Sequence, residues 1–131
     1  MRSFRCKRII YSSSAEVYGV KNKLEKISES RDSLKPVTDL GKMCLRMERV
    51  VYNWTLEEKT NSAIMMRNFK VVGTHPSGLI GLEESKKHCT LMSNILEVAY
   101  GEKEAVTIHG QGFHTTDGTA EHDFIHVVDL A

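Results

Sequence analysis

Hydrophobic and polar positions predict a short strand and a long amphipathic helix in the first half of the chain. Residues 8–13, RIIYSS, form a short apolar run that ends in small hydroxyl residues, which is typical of a buried strand. A polar, charged loop follows, and then Pro36 and either Thr38 or Asp39 signal the start of a helix. This helix should run to about Glu58, because apolar residues recur at spacings of three and four through Leu40, Cys44, Met47, Val51 and Trp54.

The second half predicts shorter elements that are separated by loops rich in glycine. Residues 62–69, SAIMMRNF, predict a second buried strand, and GTHPSGLIG after it is punctuated by glycine and proline, as loops are. Helical spacing returns over residues 90–100, VTIHG at 106–110 predicts a short strand, and TTDGT predicts a turn. The final HDFIHVVDLA predicts a strand that leads into a helix beginning at Asp129. Strands alternate with helices throughout, so the predicted fold class is α/β.

Composition and charge exclude several kinds of partner and location. The 131 residues are 40% hydrophobic and 27% charged, as in one ordinary globular domain. A formal net charge of +1 gives no field that would attract nucleic acid or an anionic membrane. No apolar run approaches the length of about 20 residues that a membrane-spanning helix needs. The basic first residues lack an apolar signal core and the three cysteines are widely spaced, so we expect reduced thiols in the cytoplasm.

Three segments of the chain resemble one enzyme family, with nearly collinear spacing. The segments are YSSSAEVYG at 11–19, MRNFKVVGTHPSGLIG at 66–81 and DGTAEHDFIHVVDLA at 117–131, and the family is UDP-glucose 4-epimerase. Its members are extended short-chain dehydrogenases/reductases, and the chain is similar to their middle portion. The resemblance implies an incomplete Rossmann-like domain with part of the UDP-sugar-binding subdomain. Residues 1–72 would be the C-terminal portion of the NAD-binding domain without its glycine-rich first half, and 73–131 a partial substrate-binding region.

The resemblance implies a chemistry whose two central residues are missing from this chain. In the family, a tyrosinate takes the proton of the sugar 4-hydroxyl while hydride moves to NAD, and a lysine four residues later lowers the tyrosine pKa. Leu40 stands at the tyrosine position and Cys44 at the lysine position, and neither side chain can replace these functions. Lys42 and Tyr52 lie on other parts of the helix surface, so they do not substitute. Ser14 matches the family serine that hydrogen-bonds the substrate hydroxyl, and it is the one catalytic residue that we expect to remain.

The resemblance also implies a set of side chains that hold the UDP diphosphate, and here too the chain departs from the family. Lys70 and Thr90 replace asparagines, and Leu91 follows Thr90 directly. His122 replaces an arginine, so a neutral imidazole stands where the family has a permanent charge and a bidentate contact. Lys70 can still attract a phosphate. We expect the remaining substrate-binding residues to be Lys70, Thr90, Leu91 and His122.

The residues of this chain predict neither a cofactor site nor a metal site. NAD is the cofactor of the family, but a dinucleotide fingerprint needs G-x-G-x-x-G directly after a strand, and the sequence contains no such motif. His122 and His126 would lie about 13 Å apart along one face of a strand, which is too far for one ion. His88 and Cys89 are adjacent but lack further ligands at the spacing of a zinc site. We therefore expect no bound NAD and no metal.

Three functions are compatible with these residues, and whether the chain is an enzyme stays open. We favour a truncated, non-catalytic UDP-glucose 4-epimerase-like remnant that weakly binds a UDP-sugar or pairs with a second chain. Such a homodimer or heterodimer would use the helix Leu40–Glu58, unless its apolar residues are ordinary core; the candidate contacts are Met43, Met47, Val50 and Trp54. One alternative is a degenerate gene product without a stable fold, because parallel strands need cover on both faces. The other is an active NAD-dependent epimerase, which would have to work without the tyrosine base.

Overall fold

The computed structural model describes residues 5–20, 26–30, 33–81 and 90–131. The chain forms two compact units, unit 1 over Met1–Phe69 and unit 2 over Lys70–Ala131. Both units contain helices and parallel strands, so the predicted α/β class is confirmed. In chain order the elements are β1 (Arg8–Ser14), a short 3-10 helix (Ala15–Tyr18), α1 (Asp39–Glu57), β2 (Ser62–Asn68), β3 (Lys70–Val72), α2 (Leu91–Ala99), β4 (Phe124–His126) and α3 (Val127–Leu130).

Unit 1 is built on the parallel pair of β1 and β2, with α1 in the connection between them. The pair is in register from Arg8 opposite Ser62 to Ser14 opposite Asn68. A parallel pair requires a long crossover connection, usually a helix, because the chain must return to the end of the sheet at which it started. Both strands lie where the apolar runs predicted them, so these two predictions are confirmed.

The predicted burial of the two strands is wrong. Ile10 is 69% exposed, and its register partner Ile64 is 61% exposed. Successive side chains of a strand point to opposite faces of the sheet. The face that carries Ser13 and Arg67 contacts α1, as their hydrogen bonds to Glu48 show, and the two isoleucines lie on the other face.

The first turn of α1 begins as predicted. Thr38 is the N-cap, because its hydroxyl accepts a hydrogen bond from the N–H of Gly41 at 3.0 Å. The helix ends at Glu57, one residue before the predicted end. At 19 residues it is the longest helix, yet neither α1 nor any other helix of the described residues is long and apolar enough to cross a membrane.

The predicted apolar stripe of α1 is wrong in two of its members. Leu40 and Met47 are exposed, and Trp54 is half-buried. The charged Glu48 is buried in place of Met47, because hydrogen-bond partners on β1 and β2 satisfy its carboxylate. The spacing of three and four is nevertheless kept on the buried face of α1. The residues of this face are Gly41, Cys44, Glu48 and Val51.

Unit 2 contains the parallel pair of β3 and β4, with Lys70 opposite Phe124. The helix predicted before residue 100 is confirmed as α2, which starts at a capping box on Thr90. The turn predicted at TTDGT is confirmed as well. It is held by Asp117, whose carboxylate accepts hydrogen bonds from both the N–H and the hydroxyl of Thr119.

Two other predictions in unit 2 are wrong. Residues 106–110 form no strand, and no strand of the described residues pairs with them. Without a ladder partner the backbone groups of such a segment are left to water, so its apolar residues alone do not make it a strand. The last helix, α3, begins at Val127 rather than Asp129. The cause is the ring of His126, which accepts a hydrogen bond from the N–H of Val128 at 3.2 Å and caps the helix earlier.

Candidate functional site

Ser14, the predicted catalytic serine, lies at the C-terminal end of β1. Its hydroxyl oxygen accepts a hydrogen bond from the N–H of Glu16 at 3.2 Å and so caps the 3-10 helix. At the same end of the strand pair, the side-chain amide of Asn68 donates to Ser12 Oγ at 2.8 Å. Ligands of open α/β sheets bind outside the carboxyl ends of the strands, which is where Ser14 lies, half-buried. Contact of Ser14 with a substrate stays a prediction.

Leu40 and Cys44 lie in the first and second turns of α1. Leu40 is 48% exposed and has no ionisable group. Cys44 is 6% exposed and packs in a small core cluster with Val17 and Tyr18. A buried thiol in apolar surroundings behaves as a small hydrophobic side chain. α1 therefore presents neither a base nor a positive charge at these two positions.

Tyr11 is a residue that the sequence analysis missed, and it interacts with Cys44. Burial and the neighbouring Cys44 thiol raise the pKa of Tyr11 above its ordinary value, and the carboxylate of Glu48 acts in the same direction. A tyrosine base needs the opposite, a nearby positive charge that lowers its pKa. Tyr11 stays protonated at neutral pH and does not replace the missing tyrosine. The alternation of β1, which places Tyr11 and Ser13 on one face, was the available signal.

A buried ion pair between Glu48 and Arg67 connects the main elements of unit 1. The guanidinium of Arg67 donates to the two carboxylate oxygens of Glu48, at 3.0 Å from Nε and 2.8 Å from one terminal nitrogen. Ser13 donates its hydroxyl hydrogen to Glu48 Oε1 at 2.6 Å, and Arg67 donates to the hydroxyl of Tyr18 at 3.1 Å. The Arg67 guanidinium also lies 5.0 Å from the centre of the Tyr18 ring. One carboxylate, 4% exposed, thus joins α1 to β1 and β2.

This network keeps Glu48 ionised although it is buried. Burial raises the pKa of Glu48, but the hydrogen bonds from Arg67 and Ser13, together with the charge of Arg67, outweigh burial. The resulting pKa of Glu48 lies below its ordinary value of 4.5. The hydrogen bonds to Glu48 likewise raise the pKa of Arg67 against the effect of burial. Both partners are therefore charged at neutral pH, and the ion pair connects α1 to β2.

Glu16 connects the 3-10 helix to the start of α1. Its carboxylate accepts a hydrogen bond from the hydroxyl of Thr38, the residue that caps α1. The two segments approach closely at Gly41, where a Cβ atom would lie 2.6 Å from the carbonyl oxygen of Glu16 and 2.9 Å from the Cβ of Pro36. Glu16 is therefore engaged in a contact between elements of unit 1.

Lys70 and His122, two of the predicted substrate-binding residues, lie beside each other in unit 2. Lys70 begins β3, where its N–H donates to the carbonyl of Asp123 at 3.2 Å and its register partner is Phe124. The ring of His122 meets the ring of Phe124 edge-on, with centroids 6.3 Å apart and planes at 82°. Partial desolvation and the charge of Lys70 lower the pKa of His122, against the opposing effect of the Asp123 carboxylate. At neutral pH, the imidazole of His122 beside Lys70 is therefore mainly neutral.

Thr90 and Leu91, the other two predicted substrate-binding residues, lie at the N-terminus of α2. The Thr90 hydroxyl accepts a hydrogen bond from the N–H of Ser93 at 3.1 Å, and Ser93 Oγ accepts one from the N–H of Thr90 at 2.9 Å. Leu91 is exposed. Thr90 also lines a largely apolar cavity of about 910 Å³ within unit 2. The contacts observed for Thr90 are those of a helix cap, and the role of either residue in binding stays a prediction.

Metal-ligand side chains do not cluster within the described residues, where no group of three or more His, Cys, Asp or Glu could hold an ion. His75 Nδ1 lies 2.8 Å from Ser77 Oγ, within hydrogen-bonding distance. The Nδ1 atom of His126 caps α3. His88 and Cys89, considered above as ligands, lie outside the described residues.

Comparison with known proteins gives one consistent family. A family model described as NAD dependent epimerase/dehydratase family matches residues 1–131. The UDP-glucose 4-epimerase of Yersinia pestis is 38% identical over 131 residues, which are 100% of this chain and 38% of that protein. The Homo sapiens UDP-glucose 4-epimerase is 34% identical over 131 residues, 100% of this chain and 37% of its own length. The solved UDP-glucose 4-epimerase from Bifidobacterium longum, in complex with NAD+ and UDP, has a TM-score of 0.88 at 34% identity, covering 99% of this chain and 38% of that one. The chain thus spans less than two fifths of these relatives.

Proposed function

Because the chain belongs to the NAD dependent epimerase/dehydratase family, we propose that it binds a UDP-sugar without converting it. The observation that carries this proposal is the pair Leu40 and Cys44 on α1. In the epimerases that the chain resembles, these positions hold a tyrosine base and the lysine that lowers its pKa. Here they hold an alkyl side chain and a buried thiol. The raised pKa of Tyr11, which interacts with Cys44, supports the same proposal, because a tyrosine that stays protonated does not act as an alternative base.

The described residues also do not fit the cofactor of the family. The lysine at the Cys44 position binds the cofactor ribose in the family, whereas the Cys44 thiol packs against Val17 and Tyr18. The sequence of 131 residues contains no G-x-G-x-x-G after a strand. We therefore also propose that this chain does not bind NAD.

Binding of the diphosphate is supported by Lys70 and His122. A lysine ammonium attracts a phosphate as a point charge, and the imidazole adds a second nitrogen beside it. The solved UDP-glucose 4-epimerase from Stenotrophomonas maltophila, with a TM-score of 0.85, contains bound NAD and formylated UDP-arabinopyranose, which supports a ligand of this class. We expect weaker binding than by a relative with arginine at the position of His122, since a neutral imidazole adds no charge.

An epimerase assay tests the absence of catalysis. The chain is produced in a host that lacks its own UDP-glucose 4-epimerase, mixed with UDP-galactose and NAD, and assayed for UDP-glucose by chromatography. We expect no product above a blank without protein, because neither Leu40 nor Cys44 can replace the tyrosine that takes the proton of the sugar 4-hydroxyl in the family. Turnover above that blank would contradict the proposal.

A double variant separates the missing base from the missing cofactor motif. Leu40→Tyr combined with Cys44→Lys restores the family residues at both positions of α1. We expect this variant to stay inactive in the same assay, because the chain still lacks the glycine turn that holds the cofactor pyrophosphate. Restored turnover would show that the motif is not required and that the two side chains alone account for the inactivity.

Pairing with a second chain is a second candidate function, and the exposed surface of α1 favours it. Met43, Met47 and Val50 follow each other at spacings of four and three, and all three are exposed, so they are not core residues of unit 1. A row of apolar residues on one helix face is typical of a surface that is buried on association. We propose a homodimer or heterodimer through the helix Leu40–Glu58, in which the half-buried Trp54 also takes part.

A cytoplasmic location belongs to the same proposal. Cys6 and Cys44 are free thiols, and Cys89 lies outside the described residues. Thiols that stay reduced are typical of proteins in a reducing compartment.

A further inference from the structure

Lys70 and His122 form a pair of side chains whose total charge depends on one imidazole. We propose that protonation of His122 controls anion binding at this pair, so that the chain holds the diphosphate of a UDP-sugar more tightly in mild acid than at neutral pH. The inference rests on the proposed binding of a UDP-sugar and adds its regulation by pH.

The strand register places both side chains on one face of the β3–β4 pair. Lys70 and Phe124 are register partners in a parallel ladder, so their side chains point to the same face. The ring of His122 lies edge-on against the ring of Phe124, which brings the imidazole to the side of Lys70. Both Lys70 and His122 are exposed, so a dissolved anion can contact the two together.

The charges around His122 determine how its protonation and anion binding are coupled. In the free chain, partial desolvation lowers the pKa of His122, and the positive charge of Lys70 beside the imidazole acts in the same direction. The adjacent carboxylate of Asp123 opposes them only in part. A bound diphosphate favours the imidazolium and so raises the pKa of His122. Binding therefore takes up a proton, and by linkage the affinity rises as the pH falls.

The test measures the dissociation constant of UDP-glucose for the whole chain at pH 7.5 and pH 5.5 by NMR titration. UDP-glucose is the appropriate probe because its diphosphate is a diester, whereas a terminal phosphate titrates near pH 6 and would itself change charge. Low ionic strength is used because both side chains are exposed and salt screens their charges. We expect affinity to be about five- to tenfold higher at pH 5.5, the contribution of one charge-assisted contact.

Three variants assign this pH dependence to the proposed pair. His122→Arg carries a permanent charge, so its affinity should be equal at the two pH values and as high as that of the natural chain at pH 5.5. Lys70→Met should weaken binding at both pH values. The control is His114→Arg, another exposed histidine, which should keep the pH dependence of the natural chain.

The outcomes distinguish failure of this inference from failure of the proposed function. Binding of UDP-glucose with the same affinity at both pH values would overturn the inference and leave the proposed function in place. If neither the natural chain nor His122→Arg binds UDP-glucose at either pH, both the inference and the proposed function are overturned. The NMR signal of the His122 ring gives a direct check, because its titration should move to higher pH on saturation with UDP-glucose. A titration that does not move would also overturn the inference.

Discussion

Glu48 is buried on α1, and its charge is balanced by Arg67 and by the hydroxyl of Ser13. Glu48→Gln keeps the shape of the side chain but leaves the Arg67 guanidinium without its bidentate partner. We expect the free energy of unfolding of unit 1 to fall by about 1–3 kcal/mol, the cost of leaving a partly buried hydrogen-bonding group without its partner. The sequence has one tryptophan, Trp54, so its fluorescence in a urea titration reports on unit 1.

The matched control for this substitution is the exposed ion pair of Lys42 and Asp39, whose charged atoms lie 3.2 Å apart on the same helix. Lys42→Gln should change the free energy of unfolding by less than about 0.5 kcal/mol, because water screens an exposed pair. Equal losses in the two variants would contradict the structural role of Glu48.

The low pKa of Glu48 predicts how the stability of unit 1 depends on pH. The pKa is depressed in the folded state relative to its ordinary value of 4.5, so the ionised carboxylate contributes stability above pH 4.5. That contribution is lost as the pH falls below 4.5 through the pKa of the folded state. Urea titrations followed by Trp54 fluorescence should therefore show a loss of stability in acid that is smaller in Glu48→Gln. The same acid dependence in both chains would contradict this assignment.

For single residues, the sequence shows which side chains stand at the two family positions on α1, but it does not show which side chains are buried. The sequence alone shows Leu40 and Cys44 at the positions where the family has tyrosine and lysine. The periodicity of α1 could not show that Glu48 is buried in place of Met47. The charge of Glu48 is balanced by Arg67, which lies on β2, 19 positions later in the sequence. Partners of this kind become visible only in the folded chain.

The close contact between α1 and the 3-10 helix predicts an unusual effect of alanine. Replacing glycine by alanine in a helix normally stabilises it by about 0.5–1 kcal/mol. Gly41→Ala should instead destabilise unit 1 by about 1–2 kcal/mol, because its Cβ would lie 2.6 Å from the carbonyl oxygen of Glu16 and something must shift. Asn53→Ala, at an exposed position of the same helix, is the control and should be neutral or slightly stabilising. Stabilisation by both substitutions, measured by Trp54 fluorescence, would contradict this packing.

For the helices and strands, the long segments with a clear apolar period were predicted correctly, whereas predictions for short segments were less accurate. The helices α1 and α2 and the strands β1 and β2 lie close to their predicted bounds. Residues 106–110 have the same apolar character as a strand but no ladder partner in the described residues. The start of α3 depends on a side-chain cap from His126, and the apolar pattern carries no information about such a hydrogen bond. Whether a short segment forms a strand, and where a short helix begins, depends on hydrogen-bond partners that the apolar pattern of the segment does not specify.

At the scale of the whole molecule, the exposed row on α1 predicts self-association. The sedimentation coefficient of the chain should rise with concentration, and Met47→Glu should abolish this rise, because a charge in the row would have to be buried unpaired. Arg49→Gln changes the net charge by the same amount at an exposed position of the same helix and serves as the control for charge alone. Equal association of the natural chain and Met47→Glu would contradict pairing through this surface.

The three motif segments predicted the family, and comparison with known proteins confirmed it over residues 1–131. The apolar runs predicted two buried strands, whereas Ile10 and Ile64 are exposed on one face of the β1–β2 pair. Missing cover of this kind was the reason to consider a chain without a stable fold, because parallel strands are normally covered on both faces. The chain spans less than two fifths of the relatives it matches. The roles of Ser14, Lys70 and His122 in binding are proposals that need a ligand to be tested.

A single NMR experiment tests the central claim, that the chain binds a UDP-sugar without converting it. The purified chain is titrated with UDP-glucose in the presence of NAD, so that amide shifts report binding and the anomeric sugar signals report conversion in one sample. We expect saturable shifts at Lys70, Thr90, Leu91 and His122, with no UDP-galactose signal at any time. Growth of a UDP-galactose signal, or amide signals that do not move at saturating UDP-glucose, would contradict it.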